Sequence, residues 1–171
     1  MPTLKIILVF ACLSCLGFQA AHSQAPASNA ARKDPVLTRH AQGTFDVKTT
    51  PLAADEATGG ATIGRYALDK HFHGDLEAES KGEMLGCGDP SKGSAGYVAL
   101  ERLTGTLQGH AGSFALQHSG IMDHGKYQLV VTVVPGSGTG ELAGIGGAMT
   151  ITIANGQHSY NLDYTLPAAA E

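Results

Sequence analysis

The run Tyr97-Val98-Ala99-Leu100-Glu101-Arg102-Leu103-Thr104-Gly105-Thr106-Leu107 leads through Gln108-Gly109 toward Ser113-Phe114-Ala115-Leu116-Gln117-His118. It reads as a β-hairpin, because two alternating arms flank a dipeptide with turn chemistry. Successive side chains of a strand take opposite faces. Tyr97, Ala99, Glu101 and Leu103 therefore share one face, and Val98, Leu100, Arg102 and Thr104 the other. If Gln108-Gly109 forms a two-residue turn, Glu101 pairs with Leu116 and Leu103 with Phe114, which leaves His118 diagonal to Glu101. A four-residue loop shifts the register yet keeps Glu101 and His118 on one face.

Outward from this hairpin the same period continues. Upstream, Phe45 and Val47 alternate with Thr44, Asp46 and Lys48, and a loop follows that holds Pro51, Asp55, Gly59 and Gly60. The run Tyr66, Leu68, Lys70, Phe72 leads through Gly74 into Leu76 and Ala78, with His71, His73, Asp75, Glu77 and Glu79 on its polar side. A glycine-rich loop is expected from Gly82 to Ser94. Downstream come Tyr127, Leu129, Val131 and Val133, then Met149, Ile151 and Ile153, an Asn155-Gly156 turn, and Tyr160, Leu162, Tyr164 and Leu166. This makes about eight strands with no helical stripe between them, an all-β chain that forms an antiparallel barrel or a sandwich. The glycines at 64, 74, 105 and 120 favour the barrel, where strands bend and carry bulges as the sheet closes.

The ends set the compartment. Lys5, the apolar run from Ile6 to Phe18 and the small and polar residues after it have the layout of a secretory signal peptide, residues 1–23; small residues allow cleavage after Ser23 or after Ala25, and Pro26 disfavours the second. Residues 24–41 read as a flexible leader and 42–167 as the barrel domain. The mature protein is thus expected to be periplasmic or secreted, with no membrane attachment after cleavage. The 171-residue chain carries a formal charge of −4, and its basic residues are scattered, which argues against nucleic acid as a partner. Cys12 and Cys15 leave with the signal peptide, so Cys87 stands alone and no internal disulfide framework forms.

Three stretches carry a family resemblance. They are Phe72-His73-Gly74-Asp75-Leu76-Glu77, the hairpin from Tyr97 to His118, and Gly136-Ser137-Gly138-Thr139-Gly140-Glu141-Leu142-Ala143-Gly144. Together they resemble a mostly bacterial family known as domain of unknown function 3224, over roughly Gln42 to Leu166. The resemblance implies the eight-stranded barrel of the allene oxide cyclases and dirigent proteins, whose turn the Gly138-Thr139-Gly140 segment is similar to. It implies no activity, since a barrel hosts many functions. Members usually lack an export signal, and the leader here departs from that.

Glu101 and His118 are the candidate chemistry. A carboxylate among apolar groups has its pKa raised by desolvation, and an adjacent imidazole can share its proton, so the two could form a catalytic dyad or simply a satisfied buried pair. Tyr97, Phe114, Leu116 and Leu103 would line a ligand site on the same face. His71 and His73 project together as a two-histidine metal site needs, but a run of polar residues along one face is more economically a solvated exterior, so no metal and no cofactor is expected. The Gly136 to Gly144 segment lacks the lysine and the following helix of a phosphate loop and reads as a tight turn with a bulge. Three functions stay open: a barrel that binds a small apolar or amphipathic molecule, an isomerase or cyclase using Glu101 and His118 for proton transfer, and a filled barrel acting as a structural homo-oligomer.

Overall fold

The computed structural model describes residues 37–52 and 63–168. The expected signal peptide, residues 24–36 of the expected leader and the Asp55 to Gly60 part of the first loop lie outside them. Among the described residues the strands are β1 (Arg39–Pro51), β2 (Ile63–Gly74), β3 (Leu76–Asp89), β4 (Ser94–Leu107), β5 (His110–Asp123), β6 (Lys126–Val133), β7 (Thr139–Gly140), β8 (Gly146–Ala154) and β9 (Gln157–Thr165). All pairings are antiparallel. Eight strands close in the order β1-β2-β3-β4-β5-β6-β8-β9 and back to β1, while the short β7 adds to β5. The fold is the antiparallel eight-stranded barrel that the strand pattern and the family resemblance led one to expect.

Turn chemistry sets the registers. Gln108-Gly109, His124-Gly125 and Asn155-Gly156 each take positive φ at both positions, the two-residue geometry whose twist matches the flanking strands. Glu101 accordingly pairs with Leu116 and Leu103 with Phe114, the register of the two-residue turn.

Four expectations change. The run from Tyr66 to Ala78 is not one strand: Gly74, at φ 108, turns the chain so that Phe72 pairs with Ala78. Its acids serve that turn, with Glu77 accepting from the Gly74 amide at 2.8 Å and Asp75 from the Gln42 amide at 2.9 Å. The segment from Gly82 to Asp89 is strand rather than loop, paired with β4 along its length; glycines interrupt the alternation there, and at Gly82 a Cβ would strike the Leu100 carbonyl. Arg39 to Ala41 belong to β1 and not to the leader, since Ala41 pairs with Leu162 and is 2% exposed. Lastly, Gly136 to Gly144 is more than a tight turn. β7 pairs with Gly112 and Ser113, the Ala111 amide donates to Glu141 at 2.7 Å, and Leu142 is buried, as is Ile145 just beyond.

That last segment plugs one end of the barrel. Leu142 and Ile145 join the buried cluster that includes Leu76, Leu107, Leu162 and Tyr164, each of the two plug side chains contributing about 1.5–3 kcal/mol of burial. Tyr160 fastens β9 to the β2–β3 turn by accepting from the Leu76 amide at 2.9 Å. Its hydroxyl titrates above the ordinary range, chiefly through burial. The opposite end differs. Ile153 and Tyr127 are more than half exposed there, and the inward glycines at 64, 86, 88 and 120 line a cavity.

Candidate functional site

The hairpin brings Glu101 and His118 into contact. His118 Nε2 lies 2.8 Å from Glu101 Oε1, and both side chains are buried. Strand parity was sufficient to bring them together, because Ala99, two residues from Glu101, pairs with His118.

Two further residues complete the cluster. Lys70 Nζ donates to the same Glu101 Oε1 at 2.8 Å, and Ser80 Oγ donates to Oε2 at 2.6 Å. Lys70 comes from β2 and reaches Glu101 on β4 across β3, where Gly82 stands opposite Glu101. A Cβ at Gly82 would collide with the Leu100 carbonyl and with Glu101. The rings of Phe45 and Phe72 lie 5.0 and 5.9 Å from the ammonium, a cation–π setting that suits a charge removed from water.

This company reverses the expected titration of Glu101. Burial pushes the carboxyl up, but the His118 hydrogen bond, the Lys70 charge and hydrogen bond and the Ser80 hydroxyl together hold it down at about 2. Glu101 is therefore a fixed carboxylate and not an acid poised near neutrality. A carboxylate only accepts, so His118 Nε2 carries the proton between them. In neutral imidazole the other nitrogen, Nδ1, is then an acceptor, and among the described residues it has no hydrogen-bond partner.

His118 and Lys70 form the floor of a cavity of about 430 Å³ in the unplugged half of the barrel. Its walls include Phe45, Leu68, Ala99, Leu129 and Ile151, with Tyr97, Tyr127 and His158 toward the mouth. Met84, Tyr97 and Tyr127 also border an adjoining cavity of about 510 Å³, the one lined by inward glycines. Tyr97 packs into the space over Gly120, where a Cβ would strike its ring, and its hydroxyl accepts from Tyr127 at 3.3 Å. Burial above all, then Tyr127 and the Glu101 charge, raise the Tyr97 pKa, so this hydroxyl stays protonated.

Of the residues read as a ligand site, Tyr97 borders this cavity, and Phe114, Leu116 and Leu103 do not. They are at most 1% exposed and belong to the buried core cluster. Lys70 sits in the apolar series of β2, and a lone cation in such a series is the signal the sequence offers for it. His71 and His73 are exposed on the exterior, within 4.0 Å of Glu79, Asp46 and Glu77. Among the described residues no group of three His, Cys, Asp or Glu side chains is gathered for a metal. Cys87 is half-buried with a free thiol.

A barrel plugged at one end and hollow at the other, with a buried lysine–glutamate–histidine cluster at the boundary, belongs with the small antiparallel barrels whose interiors are only part-filled by side chains. Within that class the chain belongs to the family described as "Protein of unknown function (DUF3224)", whose sequence pattern matches residues 41–164. It is similar to a solved member of that family from Shewanella oneidensis MR-1, itself described as of unknown function. The two share 50% sequence identity with a TM-score of 0.71, over 77% of this chain and 100% of the other. No curated protein matches.

Proposed function

We propose that the protein is an exported barrel that binds a small amphipathic molecule in its open half. The observation that carries this is the cavity of about 430 Å³ whose walls are largely apolar and whose floor presents two polar groups, Lys70 and His118. Ligand sites have this character, with an apolar lining and few polar groups that fix orientation. An eight-stranded barrel is just wide enough either to fill itself or to hold one small ligand, and glycine at inward positions favours the second. Export rests on the leader sequence alone. Native mass spectrometry of protein purified from its own cell envelope tests binding: a retained small molecule is expected, and Ala99→Trp, which fills the cavity, should release it. Repeated absence of any bound molecule contradicts the proposal.

A second reading is proton transfer, and the unpartnered His118 Nδ1 favours it. In that case His118, not Glu101, is the base. It would take a proton from carbon beside a ligand carbonyl, the C–H electrons moving to oxygen beside the Lys70 ammonium, and would return the proton at another carbon. Deuterium incorporation into a bound carbonyl compound tests it. The homo-oligomer reading draws support from Leu85, Val98, Leu100, Ile121 and Val130, exposed apolar residues on the outside of β3 to β6, and light scattering decides it.

A further inference from the structure

We infer that the cavity takes an anionic amphiphile, a monocarboxylate with an apolar tail, and that His118 gains one proton as this ligand binds. The inference rests on the binding function proposed above and specifies the ligand class.

The lining has one sign of charge. Although the whole chain is acidic, the residues bordering this cavity include one lysine and two histidines and no carboxylate. Glu101 lies beneath the floor, with its side chain fully buried. Its oxygens are engaged by Lys70, His118 and Ser80, so its charge is committed within the protein. Lys70 gives one of its three ammonium protons to Glu101, and no other acceptor engages it among the described residues. Two donors are therefore left for a ligand head group.

Charge balance supplies the proton. Lys70 and Glu101 sum to zero, so with neutral His118 the floor is uncharged. A carboxylate placed there would leave one negative charge in a site largely removed from water, which is costly unless another group offsets it. His118 is placed to do so. Its Nε2 is held on Glu101, and protonation of Nδ1 turns the remaining nitrogen from an acceptor into a donor aimed at the ligand. The other titratable groups facing His118 are engaged elsewhere: the Tyr127 hydroxyl donates to that of Tyr97, and His158 stands at the mouth against Phe45, 5.0 Å between ring centroids. One spare nitrogen fits a monoanion rather than a dianion. The apolar wall running from Leu129 and Ile151 to the exposed Ile153 takes the tail.

Isothermal titration of the full chain with decanoate and with decanol, each in two buffers of different ionisation enthalpy at about pH 8, tests this. Decanoate is expected to bind at least about tenfold tighter than decanol and to take up about one proton, its affinity falling about tenfold per pH unit above the imidazole range. His118→Gln keeps a donor to Glu101 but cannot titrate, and should abolish the uptake. Since Lys70→Met alone strands Glu101, the Lys70→Met/Glu101→Gln pair serves for the head-group contact and should remove the preference for decanoate. Equal binding of the two ligands without proton uptake overturns this inference and leaves the amphiphile site standing. Binding of neither overturns both.

Discussion

Lys70 on β2 and Glu101 on β4 form an ion pair of 2.8 Å across the intervening strand β3, with both side chains almost wholly buried. Such a pair is worth little in itself, because desolvation offsets the attraction, but breaking it strands a charge.

Glu101→Gln is therefore expected to cost about 3–5 kcal/mol, since it leaves the Lys70 ammonium without its counterion. The Lys70→Met/Glu101→Gln pair should cost clearly less than the sum of its two singles. Urea unfolding of the three variants measures both, and additive losses would show that the residues do not act as a pair.

Acid should act on the same carboxylate. Glu101 is held at about 2 against an ordinary value of 4.5, so across that interval the unfolded chain binds the proton and the fold does not. Its contribution, on the order of 3 kcal/mol, is complete above about pH 4.5 and is lost as pH falls through about 2. The stability gap between the wild type and Glu101→Gln should accordingly narrow on acidification. A gap that stays constant between about pH 5 and 3 contradicts the assignment.

Tyr97 and Gly120 should be coupled, because the ring occupies the place of the missing Cβ. Gly120→Ala is expected to cost about 1–3 kcal/mol by overpacking. Combined with Tyr97→Leu, most of that cost should vanish, and thermal or urea unfolding reads the coupling.

At the plugged end, Leu142→Ala should cost about 2–5 kcal/mol by opening a cavity among packed leucines. Ligand affinity should change less than about twofold, since Leu142 does not border the binding cavity. Loss of affinity in a variant that remains folded would mean that the two ends are not independent.

The difference between what was legible in the sequence and what was not is one of range. Glu101 and His118 lie on neighbouring strands joined by a two-residue turn, so local parity places them together. Lys70 reaches Glu101 only through the pairing of β2, β3 and β4, which requires the chain to fold back at Gly74. A reading that runs straight through Gly74 and takes Gly82 for a loop has no means of bringing them together. The direction of the Glu101 shift is not legible from the hairpin for the same reason: without Lys70 and Ser80, burial dominates. Nor does alternation say how far side chains fill an interior, so Phe114, Leu116 and Leu103 could not be told from cavity-lining residues until the plug formed by Leu142 and Ile145 was seen.

The most direct test is a crystal structure of the protein soaked with a decanoate brominated at its tail, read by the anomalous signal of bromine. The account predicts a bromine peak at the mouth near Tyr127 and Ile153, with the carboxylate within hydrogen-bonding reach of Lys70 Nζ and His118 Nδ1. Bromine found only on the outer face around Val98 and Leu100, with the interior free of ligand density, would contradict it.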